Sequence, residues 1–221
     1  MHMRYSLFFL LLGVVGCQAF TAAPSDNHQV ADKHHYPRSE DRAYHNGGDL
    51  RLSIVVPAGW ETYNTEAGIV LNEHVGTASL DQPLDGVLVH IFVPNMSDFT
   101  YPDSADANLA WAILKQVVSN PDYIGNALVS DPVAFDWDDY AAAYYLLNNR
   151  DETVTMLLAL GMPERDHLVV CHVSVPERQA ERIRAVLPDL LASLTINGTL
   201  IDAAALRDLP DPLLFPEILD G

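Results

Sequence analysis

The sequence predicts an α+β fold: a largely antiparallel β-sheet packed by helices in an α/β/α sandwich. Three observations predict it. Seven short stretches alternate apolar with polar residues, or run apolar throughout, and are bounded by Gly, Pro, Asn or Asp. Two further stretches repeat apolar residues at helical spacing. The last four strand candidates are joined by connections of two to six residues, short enough to make each neighbouring pair antiparallel.

The chain opens on a leader. Arg4 supplies a positive start, Leu7 to Val15 form an apolar stretch, and Gly16 is a small residue where a signal peptide would be cut. Nine helical residues rise about 13 Å, too little to span a bilayer. From Cys17 to Asp49 the chain is polar, aperiodic and broken by Pro and Gly, the composition of a tether. Its histidines, His28, His34, His35 and His45, fit no defined ligand spacing, so they read as tether residues rather than a metal set.

The expected domain runs from Leu50 to Gly198. Leu50, Leu52, Ile54 and Val56 alternate with Arg51, Ser53 and Val55 as in a half-buried strand, ended by Pro57 to Gly59. "GIVLNEH" (68–74) and "GVLVHIFVP" (86–94) read as two more strands. Ser104, with Asp106 in the first turn, is the expected cap of a helix whose stripe is Ala110, Ile113, Leu114, Val117 and Val118, ended by Asn120 and Pro121. Four strands follow, at 132–137, 140–148, 153–160 and 167–175. Pro176 then opens a helix that buries Ile183, Val186, Leu187, Leu190, Leu191 and Leu194. Residues 199–221 form an apolar, proline-broken tail expected to lie along its own domain.

Charge excludes some functions. The 12 basic residues less Arg4 of the leader face 30 acidic ones, a net of −19 for the processed chain. Nucleic acid and anionic headgroups are repelled by such a summed field. The two cysteines, Cys17 and Cys171, stand at the end of the leader and inside an apolar run, so no disulfide is expected.

Val14-Val15-Gly16-Cys17, directly after the apolar stretch, resembles the lipobox of bacterial lipoproteins. The resemblance implies cleavage before Cys17, diacylation of its thiol and acylation of its amino group, and two or three acyl chains suffice for stable anchoring. Gln18 stands where such proteins retained at the inner membrane often have Asp, which implies an outer membrane where there is one.

"LSIVVPAGWE" (52–61), "GIVL" (68–71) and "VLPDLLASLTI" (186–196) resemble in order and spacing the PsbP-like superfamily, which includes Ran-binding Mog-type proteins and bacterial envelope lipoproteins. That resemblance implies a scaffold that binds proteins, and it carries over no catalytic residue.

No Gly-x-Ser-x-Gly elbow, Walker loop, His-Glu-x-x-His or Gly-x-Gly-x-x-Gly occurs. Glu73 and His74 are adjacent in a strand and point to opposite faces, so they read as surface residues rather than a catalytic pair. Asp136, Asp138 and Asp139, with Asp131 upstream, surround Trp137. Calcium would need about six oxygen ligands, and a solvated turn explains the carboxylates more simply. Trp137 with Tyr140, Tyr144 and Tyr145 could form an aromatic ligand platform, although strand aromatics are more often core. His90, His167 and His172 lie in strands with no paired ligand, and Cys171 reads as a small buried hydrophobe.

The expectation is therefore a non-enzymatic, lipid-anchored envelope protein, attached at Cys17, with no cofactor, that binds an unidentified envelope protein. The alternative is a ligand- or divalent-cation-binding lipoprotein using the acidic and aromatic surface from Asp136 to Tyr145.

Overall fold

The computed structural model describes residues 41–47, 49–73, 84–103, 107–137, 139–149, 152–162, 167–203 and 206. Two antiparallel sheets share one core, and the smaller is built from the two ends of the domain. Strand β1 (Arg42–Gly47) pairs with β2 (Leu50–Val55) in register from Arg42↔Val55 to Gly47↔Leu50. Ala43 and His45 face inward, and Arg42, Tyr44 and Asn46 alternate outward. Residues 42–47 thus belong to the domain, not to the tether expected to end at Asp49. The pattern is hidden in sequence because its inward positions hold Ala and His rather than large apolar side chains.

The other half of the small sheet lies at the expected domain end. Strands β11 (Thr195–Ile196) and β12 (Thr199–Leu200) are joined by Asn197-Gly198, with φ of 54° and 85°, the left-handed pair that suits a tight hairpin. β11 pairs with β2, giving the order β1-β2-β11-β12. Ile201, Ala203 and Leu206 continue into the core, so the first residues of the stretch read as a tail are domain.

The large sheet has eight strands. Its spine is β3 (Glu61–Asn64), β4 (Gly68–Asn72), β5 (Leu88–Phe92), β10 (His167–Pro176), β9 (Thr153–Met162) and β8 (Tyr140–Asn149), in that spatial order. Two short strands, β6 (Leu128–Val129) and β7 (Val133–Trp137), both pair with β8 and make a broken edge. β3 carries no apolar pattern because all four of its residues are exposed at the opposite edge, and so no periodicity marks it. Gly68 is required where β4 meets β5: a Cβ there would lie 1.9 Å from the Ile91 carbonyl oxygen.

Each face of this sheet is covered differently. On one, Val89, Ile91, Met156, Leu158, Val169, Cys171 and Val173 meet Leu50, Leu52 and Ile54 of the small sheet. Ile183, Leu187, Leu190 and Leu191 of α3 (Arg182–Leu191) complete that layer, with Pro188 inside the helix. On the other face, helix α1 (Leu109–Val118) sets Leu109, Ala110, Ile113, Leu114 and Val117 on Phe92, Ala143, Tyr145, Leu157, Ala159 and Val170. The expected three layers are present, but one is mixed: half helix, half second sheet.

Helix boundaries differ from expectation at both ends. Ser104 and Asp106 lie outside the described residues, and the cap of α1 is Asn108, whose Oδ1 accepts from the Trp111 N–H at 2.9 Å. Pro121 does not only end α1; it opens a four-residue helix α2 (Pro121–Ile124) capped by Asn120. After Pro176 comes a 3₁₀ turn at Glu177–Gln179, and α3 starts only at Arg182.

Candidate functional site

Of the residues singled out between Asp136 and Tyr145, Trp137, Tyr144 and Tyr145 lie in the core. Trp137 is 1 % exposed, its indole N–H donates to the Asp202 carbonyl, and its ring stacks on Phe135 at 6.1 Å. The two-residue period of β7 turns Trp137 inward with Phe135. Tyr144 and Tyr145 are buried on opposite faces of β8, and burial pushes the Tyr145 hydroxyl pKa up. The aromatic platform is therefore core. Asp139 is exposed, whereas the side chains of Asp136 and Asp138 lie outside the described residues, as do Cys17, His28, His34, His35 and His74. Among the described residues no group of three or more His, Cys, Asp or Glu is placed to hold a metal ion.

Glu73 is structural. Its two oxygens accept from both Arg182 nitrogens at 2.6 and 2.9 Å, and Oε2 also takes the Val87 N–H at 2.9 Å. The hydrogen bond to Glu73 raises the Arg182 pKa further. A bidentate pair of this kind ties the end of β4 to the start of α3. Arg182 is only partly exposed for this reason.

The chemistry-bearing side chains that do meet are histidines. His90 of β5 and His172 of β10 are direct cross-strand partners on the face shared with α1, which puts their Cβ atoms about 5 Å apart. His90 Nε2 lies 3.2 Å from Thr65 Oγ1, and His172 Nε2 lies 3.3 Å from Ser174 Oγ. Ser174 in turn shares a 2.7 Å bond with Thr155 Oγ1. His45 enters from β1 of the small sheet, buried, with Nε2 unpartnered. Burial lowers the His45 pKa. Burial, then the neighbouring His45, lowers His90 to about 4, and burial, then His90, lowers His172 to about 4.

This arrangement holds neutral imidazoles. A base of pKa about 4 is a weak proton acceptor for the Ser174 hydroxyl at neutral pH. Among the described residues no carboxylate contributes to either shift, whereas a nucleophilic set requires one to orient its base. Cys171 faces the opposite side, fully buried, with its thiol pushed up to about 12 and correspondingly inert.

Two exposed surfaces remain. At the broken edge of the large sheet, Trp111 is 39 %, Leu128 41 % and Val133 39 % exposed. The Trp111 indole N–H donates to the Pro132 carbonyl at 3.2 Å, fixing the ring beside the start of β7. Lys115 Nζ lies 5.7 Å from the centre of that ring and 3.1 Å from an Asp131 oxygen. Sequence reasoning passed over Trp111, whose signal was a Trp one position off the apolar stripe of α1. Toward the other edge lies the outer face of the small sheet, since β1 packs beside β3 and β4. There Tyr44, Ser53, Thr195 and Leu200 form one row across all four strands. Tyr44 and Leu200 are each 60 % exposed.

No family model matches the chain, and no curated protein matches it. Solved structures similar to the chain include the following three. The cyanobacterial PsbP of Synechocystis is 10 % identical, with a TM-score of 0.42, over 70 % of this chain and 92 % of that one. The Ran-binding protein Mog1p of Saccharomyces cerevisiae is 12 % identical, with a TM-score of 0.43, over 75 % and 97 %. LpqN of Mycobacterium tuberculosis, involved in cell envelope biogenesis, is 13 % identical, with a TM-score of 0.42, over 78 % and 99 %. At these values what the chain does is argued from its own residues.

Proposed function

We propose that this chain is a lipid-anchored bacterial envelope protein whose domain binds another protein through the broken edge around Trp111, without catalysis. The observation that carries the binding is the exposed Trp111, held rigid by Pro132 and Lys115, with Leu128 and Val133 beside it. A fixed aromatic beside apolar neighbours and a charged pair matches the composition of binding hot spots, and the unpaired side of a short edge strand offers backbone donors and acceptors to a partner strand. The anchoring rests on the leader and Val14-Val15-Gly16-Cys17. His172, the imidazole beside the Ser174 hydroxyl, is held at a pKa of about 4, which supports the non-enzymatic reading.

A photo-crosslinking residue at position 128 in intact cells tests the binding. A discrete protein adduct that weakens at least tenfold in Trp111→Ala is expected. Adducts unchanged by that substitution, or no adduct at 128 and 133 alike, overturn the reading. Anchoring is read separately: Cys17→Ser should lose the acyl mass and leave the membrane fraction.

A further inference from the structure

The outer face of the small sheet carries charge of the sign opposite to the chain's net charge. Its outward positions are Arg42, Tyr44 and Asn46 on β1, Arg51, Ser53 and Val55 on β2, Thr195 on β11 and Leu200 on β12. None is a carboxylate, in a chain of net charge −18. Asp41, Asp49 and Asp202 stand only at the rim, beyond strand ends. Among the described residues, Lys115, Arg178 and Arg182 are each neutralised by a carboxylate. Arg42 instead donates to Ser53 Oγ at 3.0 Å and to the Ser193 carbonyl at 2.9 Å, and Arg51 forms no ion pair. Neither is paired with a carboxylate among the described residues, on a face that also shows an exposed Tyr and an exposed Leu.

We infer that this face rests on the anionic headgroups of the membrane to which the chain is anchored. The inference depends on the anchoring reading above. Residues 18–41, 24 in all, separate Cys17 from β1, a strand of this very sheet. A stretch of that length spans at most about 80 Å, so the anchor keeps the sheet within reach of the surface. Acyl chains overcome the net repulsion that would keep the free chain away, and the charge asymmetry then selects which side turns to the lipid. The acidic remainder is pushed outward while Arg42 and Arg51 are drawn in. Tyr44 and Leu200 sit at the depth where an amphipathic ring and an apolar chain are stable. The broken edge with Trp111, at the far side of the large sheet, then faces away from the membrane and toward a partner.

The test uses the full acylated chain, Leu200→Cys, labelled with an environment-sensitive fluorophore. Only position 200 reacts, because Cys171 is buried and Cys17 is acylated. The protein is reconstituted in phosphatidylcholine vesicles with and without about a third phosphatidylglycerol. On anionic vesicles the label is expected to shift to the blue and be quenched by brominated lipid, while a label at Asp122→Cys stays aqueous. Arg51→Glu, which removes an exposed side chain free of ion pairs, should reduce the shifted population about tenfold, as should raised salt. Equal signals on both vesicle types, or a label at 200 that stays aqueous, overturn the inference; a label aqueous on vesicles but shielded in native envelopes gives the face to a protein. If mass shows no acylation, the Cys17→Ser chain held through an N-terminal polyhistidine on nickel-chelating lipid gives the same readout. Failure of the anchor and failure of the orientation are thereby told apart.

Discussion

The two faces of the large sheet use the same strands for different ends. Along β10, Val169, Cys171, Val173 and Val175 point to the face shared with the small sheet and α3, and that face is apolar throughout. Leu168, Val170, His172 and Ser174 point to the other, which is apolar under α1 and then turns polar, with His90, Asn72 and Thr155 alongside. An apolar face asks only for volume and shape. A polar one needs a partner for every atom, and its stability then depends on protonation. Within the large sheet, sensitivity to acid is thus confined to half of one face.

The largest expected effect tests that confinement. His90 and His172 have pKa values of about 4 when folded against an ordinary 6.5. Between these values the unfolded chain binds more protons than the folded one, so stability rises with pH and is lost as pH falls from about 7 toward 4. Each unit of depression is worth about 1.4 kcal/mol, so the pair accounts for a loss on the order of several kcal/mol. Chemical denaturation midpoints should fall between pH 7 and 5, above the range where carboxylates titrate. His172→Gln should flatten that slope; an unchanged slope would mean that the histidines are not held neutral.

On the apolar face the largest cost is a hole. Leu158 is wholly buried between Tyr144 and Cys171, its cross-strand partners. Leu158→Ala should cost about 2–5 kcal/mol, and unlike the histidine effect the loss should be the same at pH 5 and pH 7, which paired denaturation curves would show.

The contrast between faces also explains what could be read in the sequence. The apolar face writes its period directly: β8, β9 and β10 were legible to within two residues, because every second side chain there is large and apolar. β1 was hidden because Ala43 and His45 are poor markers of an inward position, and β3 because both its faces are wet. The hairpin of β11 and β12 did carry a signal, the Asn197-Gly198 pair, inside a stretch read as the end of a helix and a tail. The candidate sites fared worse. Trp137 looked like part of an acidic surface because Asp136, Asp138 and Asp139 adjoin it in sequence, yet alternation sends it into the core. His90 and His172 are far apart in the chain, and only the pairing of β5 with β10 brings them together.

A smaller pair of substitutions sharpens the same distinction. Cys171→Ser places a hydroxyl on the apolar face with no partner and should cost about 1–3 kcal/mol. Ser174→Ala, three residues along the same strand, removes a hydroxyl from the polar face and leaves Thr155 Oγ1 and His172 Nε2 without it. Its cost should be of similar size, although it deletes rather than adds a polar atom. Thermal melts of the two variants would break the comparison if Ser174→Ala proved neutral.

The smallest effect on stability is expected at Trp111, on the helix that covers the second face. Its indole makes one bond to the Pro132 carbonyl and one contact with Lys115, and much of the ring is already wet. Truncation to Ala therefore forfeits about 1 kcal/mol from a hydrogen bond and a cation–π contact of modest worth, against several for a core residue. A side chain that stabilises its own domain so little, and yet is pinned in one orientation at a sheet edge, is placed for contact with something outside the chain. Trp111→Ala should consequently leave the melting curve nearly unmoved while removing the crosslink at position 128, and a large drop in melting temperature would return Trp111 to the core and take the binding edge with it.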